Sequence, residues 1–241
     1  PWVCPSTPSG EMAYSADGNF LVYRTICGNA TRPKLDSGIV VVRTDGSSGF
    51  EVTDGSRDNY SPVFSADGTE VYFLSCSFAD GCMVYAVGVN LAGGYATGTP
   101  RVLIGKDWNW QATKRVFGTA SPTKGSDGRW LSLSPNGKNL LITFRKNNGP
   151  STMGIYDLAS STMTELVQGR GAYWSPDGRI TFFKTYWQED EERNGVIEGQ
   201  NLVPAYFMEG DGSNVREVSA GLCLGANWQS CAFGIPLLPP L

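Results

Sequence analysis

A run of carboxylates is the densest group of chemically active side chains in this sequence. It consists of four consecutive acidic residues, Glu189, Asp190, Glu191 and Glu192. Adjacent carboxylates repel each other unless a cation neutralises them, and calcium is a cation that prefers oxygen ligands. The run therefore predicts a calcium site. It lacks the Asp-x-Asp-x-Asp-Gly spacing of a defined calcium loop, so a solvated charged loop is the alternative.

A second oxygen-rich segment, residues 54–59, carries Asp54 and Asp58 four positions apart. Both are candidate calcium ligands, and an ordinary Asx-turn linker is the alternative. Paired carboxylates across a cleft can also hydrolyse a glycosidic bond without histidine. An exposed acidic loop, however, offers no burial that would raise the pKa of one carboxyl into the range of a general acid. Glycoside hydrolysis by a residue such as Glu191 is therefore only the second alternative function.

Four tryptophans are candidate binding residues: Trp108, Trp110, Trp187 and Trp228. Their flat indole rings can stack on sugars or anchor a protein partner. The alternative is that they cover the ends of the hydrophobic core. These residues make a carbohydrate-binding, lectin-like protein the first alternative function.

The sequence contains no histidine, which excludes Ser-His-Asp and Cys-His nucleophiles and His-bearing metal sites. It has no Gly-x-Ser-x-Gly nucleophile elbow either. The 19 Lys and Arg residues against 23 Asp and Glu residues give a net charge of −4, and no basic run would attract nucleic acid. No apolar stretch is long enough for membrane insertion. We therefore expect a protein that binds and is not an enzyme.

Six cysteines are present, at Cys4, Cys27, Cys76, Cys82, Cys223 and Cys231. Their even number, and a spacing that fits neither a zinc ribbon nor a Cys-x-x-Cys motif, favour disulfides in an oxidising compartment. Pairing each cysteine with its nearest neighbour closes the shortest loops. Free buried thiols in a cytosolic protein are the alternative. With a start at Pro1 that suits a processed chain, this predicts an extracellular or periplasmic protein.

A five-residue pattern recurs four times and organises the chain. Its copies are Tyr14–Gly18, Phe64–Gly68, Leu133–Gly137 and Trp174–Gly178. Each has an apolar residue followed by Ser-x-Asp-Gly or Ser-x-Asn-Gly, a strong signal for a tight β-hairpin turn. Because Asn136 replaces the aspartate in one copy, we interpret the aspartate as turn-forming. A sialidase-type Asp-box is the other interpretation, and it is also a turn motif.

Each turn is followed by three predicted strands. The second strands are Phe20–Tyr23, Val71–Leu74, Leu140–Phe144 and Ile180–Phe183. The third strands are Ile39–Val42, Met83–Val87, Met153–Tyr156 and Ala205–Met208. The fourth strands are Phe50–Thr53, Pro100–Leu103, Thr164–Val167 and Val215–Val218. No segment shows helical periodicity, so the fold is predicted to be all-β, and four-stranded units of this length are typical of β-propeller blades.

The repeats resemble the TolB-like, or PD40, β-propeller repeat, and Trp174–Gly178 is the closest match. The resemblance implies one propeller domain over residues 1–241, with four four-stranded blades. The blades are expected at about residues 11–55, 60–105, 129–169 and 171–221, with an insertion at 106–128 and a tail at 222–241. TolB-type propellers usually have about six or more blades. A fifth blade, hidden in the insertion or built from both termini, is therefore the alternative.

The chain ends in an apolar, proline-rich segment, Phe233–Leu241, which should dock on its own propeller or on a neighbouring copy. The segment Trp2–Pro5 suggests the same at the other end. We therefore predict a non-enzymatic extracellular structural or scaffold protein that binds calcium at its acidic loops. We expect it to self-associate through terminal segments, in one version into filaments. Its partners would be other copies of itself or another extracellular protein, with glycans under the first alternative function.

Overall fold

A computed structural model of the chain describes residues 12–26, 37–53, 57–77, 81–105, 131–145, 151–183 and 205–219. The regular structure of these residues is entirely β-strand. The strands are β1 (Met12–Tyr14), β2 (Phe20–Ile26), β3 (Ser37–Arg43), β4 (Gly49–Glu51), β5 (Asp58–Phe64), β6 (Glu70–Ser77), β7 (Gly81–Asn90), β8 (Tyr95–Ala96), β9 (Arg101–Ile104), β10 (Leu131–Leu133), β11 (Asn139–Arg145), β12 (Ser151–Asp157), β13 (Thr162–Gln168), β14 (Arg170–Trp174), β15 (Ile180–Phe183), β16 (Ala205–Met208) and β17 (Arg216–Ser219). No helix that could cross a membrane occurs in these ranges.

The strands form four antiparallel sheets, each built from consecutive strands of the chain. Blade 1 is β1 to β4, blade 2 is β5 to β9, blade 3 is β10 to β13 and blade 4 is β14 to β17. In blade 2 the long strand β7 pairs on its outer side with two short strands, β8 and β9. The described residues form an all-β, four-bladed β-propeller, which confirms the predicted fold and blade number.

The repeated pentad forms the hairpin turn between the first two strands of each blade. In blade 1 the Asp17 Oδ1 atom accepts a hydrogen bond from the Ser15 hydroxyl at 2.6 Å and from the Asn19 backbone N–H at 3.0 Å. Gly18 follows with a φ of 71°, which glycine adopts without a Cβ penalty. Asn136 accepts the two equivalent hydrogen bonds in blade 3. The interpretation of the aspartate as turn-forming is therefore confirmed.

The second strands are buried on both faces because each lies between two neighbouring blades. In β6, Val71 and Phe73 pack against blade 1, whereas Tyr72 and Leu74 pack towards blade 3. The cluster that contains Tyr72 and Leu74 continues directly into Ile142 of blade 3. Blade 2 thus rests directly on blade 3, and no further blade lies between them.

Contacts between the described strands join blade 1 to blade 2, blade 2 to blade 3 and blade 3 to blade 4. No described strand of blade 4 contacts a described strand of blade 1. Blades 1 and 4 therefore each have one sheet face that none of the described strands covers. This arrangement makes the two terminal blades different from the two central ones.

Candidate functional site

Most of the predicted site residues lie outside the part of the chain that the structure describes. These residues are Asp54, Glu189, Asp190, Glu191, Glu192, Trp108, Trp110, Trp187, Trp228, Cys4, Cys27, Cys223 and Cys231. The side chain of Cys82 is outside it as well, whereas Asp58 and Cys76 are described. Within the described ranges, no three acidic or cysteine residues come together as a metal-binding group.

Asp58 lies at the start of β5, where its Oδ1 atom accepts a hydrogen bond of 3.5 Å from the Ser37 hydroxyl. The same hydroxyl accepts a hydrogen bond from the Asn59 backbone N–H at 2.8 Å. The buried Asn59 side chain donates back to the Ser37 carbonyl at 2.9 Å. Asp58 therefore borders a hydrogen-bond network that ties β3 of blade 1 to β5 of blade 2. Its role as a calcium ligand stays a prediction.

Cys76 is disulfide-bonded, and no described cysteine carries a free thiol. In the register of β6 and β7, Cys76 lies directly opposite Cys82. Facing residues on antiparallel strands bring their Cβ atoms close enough for a disulfide. The predicted Cys76–Cys82 pairing agrees with this register. The pairing itself, and the other two disulfides, stay predictions.

One face of blade 1 departs from the pattern of the other blades. Tyr14, the residue before the turn serine, is 64% exposed, whereas Phe64 at the equivalent position of blade 2 is 4% exposed. Tyr23 is half-buried, whereas Phe73 at its equivalent position is 1% exposed. Met12, on the same face, is 44% exposed. Blade 1 covers these positions in blade 2, but no described strand covers them in blade 1.

We name this surface the open face of blade 1. It consists of Met12, Tyr14, Leu21, Tyr23, Val40, Val42 and Glu51, which the strand register places on one side of the sheet. A groove of about 390 Å³ opens on it, lined by Tyr23, Thr25, Val40, Val42 and the turn at Gly46–Gly49. The face is apolar over its first three strands, and the exposed Glu51 carboxylate lies on its outermost strand, β4. This geometry suits the binding of another apolar protein surface.

Blade 4 has the opposite free surface, which we name the outer face of blade 4. It consists of Thr181, Phe207 and Arg216, neighbours in the register of β15, β16 and β17, and of Tyr173 on β14, which pairs with Thr181. The Arg179 guanidinium lies 5.3 Å from the centre of the Phe207 ring, a cation–π contact. Where blade 1 places the fully buried Val22, blade 4 places the half-buried Thr181. The outer face of blade 4 is therefore mixed in character, with the Tyr173 and Phe207 rings beside the cationic side chains of Arg179 and Arg216.

The turn aspartates are not candidates for catalysis. Hydrogen bonds from the Ser15 hydroxyl and the Asn19 backbone and side chain lower the pKa of Asp17 to about 2. The pKa of Asp67 is lowered by its turn serine, and that of Asp177 by a hydrogen bond from an adjacent guanidinium. These carboxyls are ionised at neutral pH and are occupied by their own turns. They cannot serve as general acids.

The four consecutive antiparallel sheets define this protein as a β-propeller, and its fold is TolB-like. A protein assigned as TolB from Agrobacterium tumefaciens is similar to the chain with a TM-score of 0.59 at 16% identity, over 87% of this chain and 64% of that one. TolB from Acinetobacter baumannii is similar with a TM-score of 0.50 at 20% identity, over 76% of this chain and 37% of that one.

A puromycin-hydrolysing peptidase from Mycobacterium tuberculosis is similar with a TM-score of 0.55 at 14% identity, over 90% of this chain and 30% of that one. No protein-family model matches the sequence, and no curated protein does. At these identities the likeness shows the fold alone. The chain spans less than two thirds of each of these neighbours, and both TolB proteins and a peptidase share its fold.

The repeat pattern did not predict the open face, because repeated blades imply that each sheet is covered by its predecessor. A signal was present in the side-chain types. Blade 1 carries Tyr14 and Tyr23 where blade 2 carries Phe64 and Phe73. A tyrosine hydroxyl suits a surface that is apolar at one end and wet at the other.

Proposed function

We propose that this protein is a non-enzymatic structural protein that self-associates outside the cytoplasm. The open face of blade 1 carries this proposal. Its side chains follow the apolar pattern of the buried faces, yet Tyr14 and Met12 are 64% and 44% exposed. A contiguous apolar surface of this kind marks an interaction site more often than a monomer's ordinary surface.

The disulfide-bonded Cys76 supports a location in an oxidising compartment, extracellular or periplasmic. Calcium held by Glu189–Glu192 and by Asp54 and Asp58 would relieve the repulsion among the carboxylates of these loops. The apolar tail at 222–241 would add a second contact between copies. These parts of the proposal rest on the sequence.

The absence of catalytic function is supported by two observations. The sequence has no histidine, and the turn carboxylates Asp17, Asp67 and Asp177 are all engaged by hydrogen bonds within their turns. The likeness to a peptidase covers 30% of that peptidase and concerns the propeller fold. Neither the lectin-like nor the glycoside hydrolase alternative is favoured by any residue in the described part of the chain.

Light scattering on the native chain over a range of concentrations, with calcium and with a chelator, tests the proposal. We expect assemblies to grow with concentration and the substitution Tyr14→Ser to shift them towards the monomer. Tyr95→Ser is the matched control, because Tyr95 is 52% exposed and belongs to blade 2, outside the open face of blade 1. A native chain that stays monomeric at every concentration, with or without calcium, would contradict the proposed function.

A further inference from the structure

We infer that the surface that covers the open face of blade 1 is the outer face of blade 4 of a second copy. Copies would then join head to tail. This inference rests on the proposed self-association and names the two surfaces that make the contact.

The first argument is the order of packing along the chain. At each described interface, one blade turns one sheet face to the next blade, which receives it with its opposite face. Blade 1 has a receiving face without a described predecessor, and blade 4 has a presenting face without a described successor. Joining these two faces between copies would repeat the same blade-to-blade packing that occurs within the chain.

The second argument is the chemistry at the middle of each of the two faces. On the receiving side, Tyr23 and Val42 line the groove of about 390 Å³. On the presenting side, Phe207 lies at the centre of the outer face, between Thr181 and Arg216. An aromatic ring that packs into an apolar groove is a common anchor of protein interfaces.

The third argument is charge. Glu51 lies on β4, the outermost strand of blade 1, and Arg216 lies on β17, the outermost strand of blade 4. At one of the three described interfaces, between blades 1 and 2, the outer strands β4 and β8 are in contact. Head-to-tail docking in the geometry of that interface would bring Glu51 towards Arg216. Both side chains are exposed, and neither has an ion-pair partner among the described residues. Complementary charges of this kind select the partner and the register of an interface.

The contact would be heterologous, because it joins two different faces of the same chain. Each copy that uses one face still offers the other, so assembly continues into a filament or closes into a larger ring. A symmetric pairing of two open faces would instead place two Glu51 carboxylates in one interface and leave both Arg216 side chains outside it. The charges favour the head-to-tail arrangement.

Charge reversal tests this pairing. Glu51→Arg would oppose a cation to Arg216, and Arg216→Glu would oppose a carboxylate to Glu51. We expect each variant alone to self-associate at least about tenfold more weakly than the native chain. An equimolar mixture of the two variants should assemble again, because every contact between unlike variants joins opposite charges. Lys138→Glu, an exposed reversal in the turn of blade 3, is the control and should change nothing.

Light scattering measures assembly, and thermal unfolding followed by circular dichroism checks that every variant is folded. If the native chain assembles and both reversals assemble equally well, or if the mixture fails to recover, head-to-tail docking is wrong while self-association stands. If the native chain is monomeric, the proposed function fails and this inference fails with it. If the reversals only lower the unfolding temperature of a monomer, and the double variant alone restores it, the two faces meet within one copy and the inference is overturned.

Discussion

Replacing Gly137 with alanine tests how the hairpin turns of neighbouring blades support each other. Gly137 ends the turn pentad of blade 3 and has a φ of 71°, and Gly18 has the same place in blade 1 and the same φ of 71°. A Cβ added to Gly137 would overlap the Cβ of Ala66, in the turn of blade 2. A Cβ added to Gly18 would meet nothing within 4 Å. The two substitutions therefore share the backbone penalty and differ only in the contact between blades.

The structure gives the expected size of both effects. A left-handed backbone costs an alanine about 1–2 kcal/mol, and the reduced entropy of the unfolded chain returns about 0.4–1 kcal/mol. Gly18→Ala should therefore lower the free energy of unfolding by about 1 kcal/mol. Overpacking adds about 1–3 kcal/mol, so Gly137→Ala should lower the free energy of unfolding by about 2–4 kcal/mol.

Guanidinium denaturation followed by tryptophan fluorescence measures both variants against the native chain. The double variant Ala66→Gly with Gly137→Ala removes the methyl group that causes the overlap, so it should recover most of the difference. The reasoning is refuted if Gly137→Ala and Gly18→Ala agree within about 0.5 kcal/mol. It is also refuted if adding Ala66→Gly to Gly137→Ala lowers the free energy of unfolding further and restores none of it.

Three further predictions concern stability. The pKa of Asp17 is lowered from its ordinary value of 3.8 to about 2, so the stabilisation that its carboxylate provides is present above pH 3.8 and is lost as the pH falls towards 2. In urea denaturation, Asp17→Asn should therefore lose less stability than the native chain between about pH 7 and about pH 3. An equal loss in both proteins would contradict the argument. If Cys76 and Cys82 form one disulfide, the variants Cys76→Ser and Cys82→Ser and the double variant should all have the same lowered unfolding temperature. Unequal unfolding temperatures would show that the two cysteines have other partners. Thr143 is 6% exposed, and its hydroxyl has no hydrogen-bond partner among the described residues. Thr143→Val should therefore raise the free energy of unfolding by about 1 kcal/mol in urea denaturation. A loss of stability would show that the hydroxyl does have a hydrogen-bond partner.

The strands were predictable from the sequence because turn chemistry and apolar runs are local signals. The third strand of blade 4, Ala205–Met208, has the predicted bounds. The third strand of blade 2 was predicted as Met83–Val87 but extends over Gly81–Asn90. Its extra residues are held by cross-strand hydrogen bonds to β6 and β8, which pair the backbone whatever the side chain. Such extension depends on partners distant in sequence, so a local pattern cannot set it.

The candidate site was predictable only in part. The sequence predicted a binding, non-enzymatic protein and supplied the acidic loops and the tryptophans as sites; all of these stay predictions. It did not reveal the open face of blade 1. Tyr14, Leu21 and Tyr23 have the pattern of a core strand, and residues with that pattern are buried wherever a neighbouring blade exists. Whether a neighbour exists is a property of the assembled sheets.

By itself, the sequence determined the four hairpin turns, the order of strands within each blade and the loss of histidine-based chemistry. Each of these depends on residue type and short spacing, as with Asp17 and Gly18. Only the tertiary structure decided which apolar face is covered and that Glu51 and Arg216 lie on the two free faces of the terminal blades. The physical reason is that burial and charge pairing arise from contacts between residues far apart in the chain, whereas turns arise from hydrogen bonds within a few residues.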